Sequence, residues 1–190
     1  MILNGQSLLR AAPLDPMIPE KRLEHGVSFG LAEAGIDVRV QQDIRFTPPD
    51  PVDFFRIMAS GNQIKDRAAL AWRAFHGFVE VDGKCTIGRF AIASTVERFE
   101  VPRQLLAIMG HKSTWARQGV NVWAGTTAEP GWGGWLTLEI GFHGTEPVHI
   151  PAGSGIAQVH FHELAEAGDY AGGKYADQPA RPVAAVMERG

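Results

Sequence analysis

Twenty-two glycines and twelve prolines cut this 190-residue chain into short segments. They are spread along it rather than gathered into a low-complexity tract, a spacing that favours many short strands joined by turns. The segments Phe78–Val81, Phe90–Phe99, Leu105–Met109, Leu136–Ile140, Val148–Ile150 and Ile156–Phe161 are β-rich and bounded by turn residues. Val38, Val40 and Ile44 mark earlier strands, which Pro48-Pro49 stops. Three stretches read as helical instead. Residues 5–12 form a short helix with Leu8 and Leu9 inward, ended before Pro13. Asp50-Pro51 reads as an N-cap with proline at the first helical position, ahead of an apolar face of Phe54, Phe55, Ile57 and Met58. In Ile64–Phe75 the apolar residues recur roughly three to four apart, a second helical run.

The length fits one domain over 1–190, with no internal repeat and no obvious linker. Apolar content of 45% and charged content of 21% are those of an ordinary soluble globule. A net charge of −3 lacks the basic footprint of a nucleic-acid-binding protein. The single cysteine, Cys85, allows no intrachain disulfide and fits a reducing compartment. No apolar run approaches membrane-spanning length, and the first residues lack a basic region followed by an apolar one. The expectation is a cytoplasmic protein without membrane or nucleic-acid partners.

Two motifs carry chemistry. Gly110-His111-Lys112-Ser113-Thr114-Trp115-Ala116-Arg117 packs two cations and two hydroxyls into six positions, which suits a polyphosphate. Glu129-Pro130-Gly131-Trp132-Gly133-Gly134 is a turn that runs into Leu136-Thr137-Leu138-Glu139-Ile140. Alternation there puts Thr137 and Glu139 on one face and the leucines with Ile140 on the other. A mid-strand carboxylate among core residues is costly unless paired or used, and partial burial suits a general base.

In that order the two motifs resemble the dCTP deaminase branch of the dUTPase-like superfamily. Its pattern is Gly-Lys/Arg-Ser-Ser/Thr-x-Ala-Arg followed by Pro-Gly-Trp-x-Gly and Thr-Leu-Glu. Similar to it as well are Gly30–Val40, Ala93–Glu97 with Val101-Pro102, Pro151–Val159, and the tail Tyr170…Lys174-Tyr175…Gln178. The match spans roughly 27–178, with 48–84 standing out as an atypical, partly helical insert that decorates the sheet rather than capping the site. One departure falls at His111, where the family has glycine. Either the imidazole crowds a close backbone approach to phosphate, or it adds a donor to the ligand.

The resemblance implies a mainly β fold, a distorted barrel or jelly-roll of the dUTPase-like type with short added helices. It also implies a homotrimer with active sites between subunits, and hydrolytic deamination of dCTP to dUTP and ammonia, which supplies dUTP for dUMP and dTTP synthesis. On this reading Glu139 activates the attacking water, while Ser113 and Arg117 orient it and balance charge. Lys112, Ser113, Thr114 and Arg117 hold the triphosphate, and Trp132 shapes the base pocket. Gln158 lies near the sugar or at a subunit contact. Residues 168–190 form a mobile C-terminal tail that closes over nucleotide, with Tyr170, Lys174 and Gln178 contributing contacts. Base-edge contacts come from the loop at 122–128. Asp37 and Arg39 read as a structural ion pair or an interface group. Zinc is not expected: its deaminase signature, His-x-Glu with Pro-Cys-x-x-Cys, is missing, and His160 and His162 lack an evident third ligand. Mg²⁺ is expected to arrive on the triphosphate. dTTP is a candidate inhibitor at the same site. Two other functions remain open: a bifunctional enzyme that carries dUTP on to dUMP and pyrophosphate, and a non-catalytic nucleotide-binding regulator.

Overall fold

A computed structural model describes residues 1–60, 64–125, 127–170 and 172–187. The expectations for 48–84, for the loop at 122–128 and for the tail therefore extend in part (61–63, 126, 171 and 188–190) beyond the described residues. The chain opens with helix α1 (Gly5–Ala11) and the two-residue strand β1 (Leu14–Asp15), followed by β2 (Arg22–Glu24), β3 (Val27–Ala32), β4 (Gly35–Arg39) and β5 (Ile44–Thr47). Helices α2 (Pro51–Ala59) and α3 (Ile64–His76) come next, then β6 (Phe78–Val81), β7 (Lys84–Ile87), β8 (Phe90–Glu100) and β9 (Leu105–His111). The one-turn helix α4 (Ser113–Ala116) precedes β10 (Val120–Trp123), β11 (Thr127–Ala128), β12 (Gly133–Phe142), β13 (Val148–Ile150) and β14 (Gly155–Glu163).

The strands form three antiparallel sheets, ordered β1-β8-β12-β10, β11-β9-β14-β4-β3-β2 and β13-β5-β6-β7. The mainly β expectation with short helices holds. Alternation explains the layering: Ala91, Ala93 and Phe99 of β8, Leu138, Ile140 and Phe142 of β12, and Val159 and Phe161 of β14 are all buried. Each large apolar side chain so buried contributes roughly 1.5–3 kcal/mol. Phe46 of β5 stacks on Phe142 of β12, with ring centroids 5.1 Å apart, joining the third sheet to the first. Among the described residues, no helix is long and apolar enough to cross a membrane.

The insert is a helical hairpin between β5 and β6. Asp50 caps α2 as expected, its carboxylate accepting the Asp53 N–H at 2.9 Å, with Pro51 in the first turn. Phe54 packs against Phe75 of α3 at 5.5 Å, while Val52 and Phe55 stay exposed. Neither helix contributes a described residue to either cavity discussed below.

One ion pair locks two sheets together. Glu97 of β8 is 2% exposed and takes the Arg39 backbone N–H at 2.8 Å and the Arg39 Nε at 2.7 Å. Arg39 also lies over the Phe29 ring, 4.7 Å from its centroid. Burial pushes the Glu97 carboxyl pKa up, even though the bonds from Arg39 oppose that rise. A folded pKa above the unfolded one means that Glu97 favours folding most at pH below the ordinary carboxylate range. That contribution is lost as pH rises through the folded pKa. Glu97→Gln removes this titration, so the stability of the wild type relative to the variant is expected to fall across that window in denaturant melts at stepped pH. Glu97→Ala strands the Arg39 guanidinium and is expected to cost about 3–5 kcal/mol.

Candidate active site

Strand β12 carries the candidate base, and its irregularity shapes the site. Its pairing with β8 shifts register between Trp135 and Thr137, a bulge that breaks simple alternation. As a result Leu136, Thr137 and Glu139 all line one cavity of about 570 Å³, well within the range of small-molecule sites. The bulge leaves backbone amides to satisfy. Leu136 N–H donates to the buried Thr95 hydroxyl at 3.0 Å, and Trp135 N–H donates to the Gln178 carbonyl at 3.1 Å.

Glu139 is half-buried, and its Oε2 accepts the Gly125 N–H at 3.2 Å. It lies between Trp123 of β10 and Ile92 of β8 in the sheet register. Phe90 and Ile92 supply apolar wall, and Glu129 adds a second carboxylate, which accepts a bond from the Thr127 hydroxyl at 2.7 Å. Trp132 is 5% exposed, packs edge-on to Phe99 with centroids 5.9 Å apart, and donates its indole N–H to the Tyr175 carbonyl at 2.7 Å. It therefore serves core and cavity wall together, and it anchors the tail.

The described part of the tail lies against β12. Gly134 and Gln178 form a parallel bridge, and Asp177 N–H donates to the Gly133 carbonyl at 3.0 Å. Only glycine permits this approach: φ at Gly134 is +129°, and a Cβ there would come within 2.6 Å of Gln178 N. Thr137 Oγ1 donates to Gln178 Oε1 at 2.6 Å and accepts the Val183 N–H at 3.1 Å. Tyr170, Tyr175, Gln178 and Val183 thereby roof the Glu139 cavity.

The phosphate-type block occupies different ground. Trp115 anchors α4 by donating its indole N–H to the Gly155 carbonyl at 2.7 Å, which leaves Ser113, Thr114 and Arg117 exposed. Ser113 and Thr114 border a second cavity of about 370 Å³ together with Asp37, His111, Lys112 and Gln158. Gln158 sits there because β14 pairs it with Asp37 on one side and Gly110 on the other. Lys112 is turned inward, 2.5 Å from Asp37 Oδ2 and 3.1 Å from Ser28 Oγ, with side chains of Lys112 and Asp37 only 9% and 4% exposed. Asp37 and Arg39 both sit in ion pairs, but with Lys112 and Glu97 rather than with each other.

Within one chain, Glu139, Trp132, Tyr170 and Gln178 thus share the first cavity, and Lys112, Ser113, Thr114 and Gln158 share the second. Arg117 and Lys174 border neither; the Lys174 ammonium lies 5.3 Å from the centroid of the Tyr175 ring. Sequence reasoning passed over Thr137, Glu129 and the Gly125 amide. Thr137 had a signal, because it shares a face with Glu139; the Gly125 amide lies in the loop at 122–128 named for base contacts, but its bond goes to Glu139.

The chain is thus an antiparallel β-sheet protein with a carboxylate in the wall of one cavity and a lysine and two hydroxyls beside a second. The comparisons place it in one family. Residues 9–164 match the family model described as dCTP deaminase-like. A dCTP deaminase of Laribacter hongkongensis (strain HLHK9) is 34% identical over 181 residues, covering 88% of this chain and 86% of that protein. The dCTP deaminase of Wolbachia sp. subsp. Brugia malayi (strain TRS) is 35% identical over 177 residues, covering 87% of this chain and 85% of its own. In fold, the chain is similar to the crystal structure of 2'-deoxycytidine 5'-triphosphate deaminase from Agrobacterium tumefaciens, with a TM-score of 0.50 and 19% identity over 86% of this chain. It spans 48% of that chain's length. The chain belongs to the dCTP deaminase-like family.

The Thr137 hydroxyl clasps the tail from both sides, so its loss should be felt there first. Thr137→Val keeps the shape and is expected to weaken tail docking by roughly 1–3 kcal/mol. Limited proteolysis should then cut within 172–187 faster, with the β-sheet core equally resistant in both proteins.

Proposed function

We propose that this chain deaminates dCTP hydrolytically, giving dUTP and ammonia, with Glu139 as general base. The observation that carries the reading is a carboxylate half-buried in a cavity of nucleotide size, within a chain of this family. Glu139 takes a proton from a water molecule as that water adds to C4 of the cytosine ring. As the water adds, the C4=N3 π pair moves to N3. The proton is then passed to the exocyclic nitrogen, the pair returns to C4 as the C4–N bond breaks and ammonia leaves, and the C4 hydroxyl proton shifts to N3 to give the uracil ring. The Gly125 N–H fixes one carboxylate oxygen and leaves the other for water. Apolar wall from Phe90, Ile92 and Leu136 limits competing water.

Ser113 and Arg117 act on the same water but come from another copy of the chain. Their exposure, Ser113 in α4 and Arg117 at its C-terminal cap, away from their own chain's Glu139 cavity, supports this, and it calls for an assembly with sites between subunits, a trimer by family resemblance. Ser113, Thr114 and Arg117 hold the triphosphate with Lys112 behind them, and Mg²⁺ enters on the phosphates as part of the substrate. Tyr170, Lys174 and Gln178 close the site from the tail.

Glu139→Gln is expected to lower turnover of dCTP by about 10²–10⁴ while nucleotide binding persists. Near-normal turnover in that variant would overturn the assignment. Resolving dUTP, dUMP and pyrophosphate in the same assay distinguishes a deaminase from a bifunctional enzyme, and absence of any turnover with retained binding would favour a regulator. A sharper test of the shared site mixes two inactive proteins, Glu139→Gln and Ser113→Ala/Arg117→Ala, after dissociation and reassembly. Mixed assemblies should regain activity because some sites receive both intact halves. No recovery from verified mixed assemblies would place all three residues in one chain's site.

A further inference from the structure

We propose that His111 is a positioning residue whose imidazole fixes the loop that holds Glu139, an inference that rests on the reading of Glu139 as the base. His111 is the last residue of β9 and is itself exposed. Its Nδ1 accepts the backbone N–H of Val122 at 3.3 Å. That bond requires an unprotonated Nδ1 and a hydrogen on Nε2, so the ring nitrogen nearest the backbone is already engaged.

The consequence runs along β10. Val122 is paired with Ile140 of β12, and its N–H is directed to His111. The imidazole therefore caps an amide on a strand whose sheet ends there, since β10 is the edge of its sheet. The next residue, Trp123, stands opposite Glu139 and, though exposed, touches two neighbours. Its ring covers Gly141, where a Cβ would come within 2.8 Å of it, and meets the His111 ring edge-on with centroids 6.5 Å apart. Two residues further, Gly125 delivers its N–H to Glu139 Oε2 at 3.2 Å. His111, Val122, Trp123 and Gly125 thus form a continuous path from the end of β9 to the carboxylate. Loss of the imidazole frees the Val122 amide and removes an edge contact of Trp123, and the Gly125 donor loses its fixed direction.

The experiment compares wild type, His111→Ala, His111→Asn and Glu139→Gln in two measurements. The first is steady-state deamination of dCTP with Mg²⁺. The second is backbone hydrogen exchange of a peptide spanning 120–125 in the nucleotide-free protein. In His111→Ala, kcat is expected to fall about fivefold, the scale of one neutral hydrogen bond, and exchange in that peptide to quicken by a similar factor. KM for dCTP should stay within about twofold, because the bond removed is the one to the Val122 backbone, even though His111 borders the second cavity. Asparagine places an amide oxygen near the position of Nδ1, so His111→Asn should restore both kcat and protection. Unchanged exchange in His111→Ala overturns the proposal, and so does a raised KM with kcat retained, which would make His111 a nucleotide contact. The two readings fail separately. A Glu139→Gln protein as active as wild type removes the catalytic base and with it the catalytic part of this proposal, whereas the exchange result decides on its own whether His111 holds the loop.

Discussion

The register of β12 is the constraint on which the rest of the site depends. Leu138 and Ile140 are wholly buried, and a slip of one residue would exchange them with Thr137 and Glu139. Placing a glutamate and a threonine in that core while exposing a leucine and an isoleucine would forfeit several kcal/mol of apolar burial and add the desolvation of a charge. Pairing on both edges, with β8 and with β10, leaves no freedom to absorb such a slip. The position of Glu139 is therefore as fixed as the core itself.

The bulge in the same strand shows how that rigidity is adapted for binding. Without it, Leu136 would face away from Thr137 and Glu139. With it, all three reach one cavity, and the displaced amides recruit Thr95 from the core and Gln178 from the tail. The tail is thereby docked by backbone geometry as much as by side chains. Gly134 is the condition for that docking, because any Cβ there would collide with the tail backbone. The roof of the cavity and the carboxylate in its wall are held by one strand, so loss of the roof does not require loss of the base.

The long strands were readable because they are β-rich and turn-bounded: 90–99, 136–140 and 156–161 fall within β8, β12 and β14, although the bulge turns Leu136 onto the face that alternation gave to Thr137 and Glu139. The N-cap of α2, Asp50 before Pro51, was equally local and equally legible. β7 left no such trace, since Lys84–Ile87 is exposed along its whole length and shows no apolar face. β10 lay hidden for another reason: an edge strand of four residues beside a loop of uncertain length carries too short a pattern. The partition of candidate residues between two cavities was beyond local reading altogether. Gln158 joins Lys112 only because β14 runs between β4 and β9, and Lys112 meets Asp37 across 75 positions of sequence. Pairing over that span is decided by the whole sheet, which no window of residues contains.

Lys112 shows how such a distant pairing reshapes a role read from a motif. Beside phosphate-type hydroxyls its charge looks available, yet a buried ion pair is costly to break, about 3–5 kcal/mol when one partner is left behind. A phosphate drawing the ammonium away from Asp37 would have to supply that much before any gain in affinity. An ammonium has three donors, however, and two are assigned, to Asp37 and Ser28. The third can reach a ligand in the second cavity without breaking the pair. Asp37 then holds the lysine in place at small entropic loss, while Arg117 stays exposed outside that cavity, its guanidinium free of the constraint that fixes Lys112.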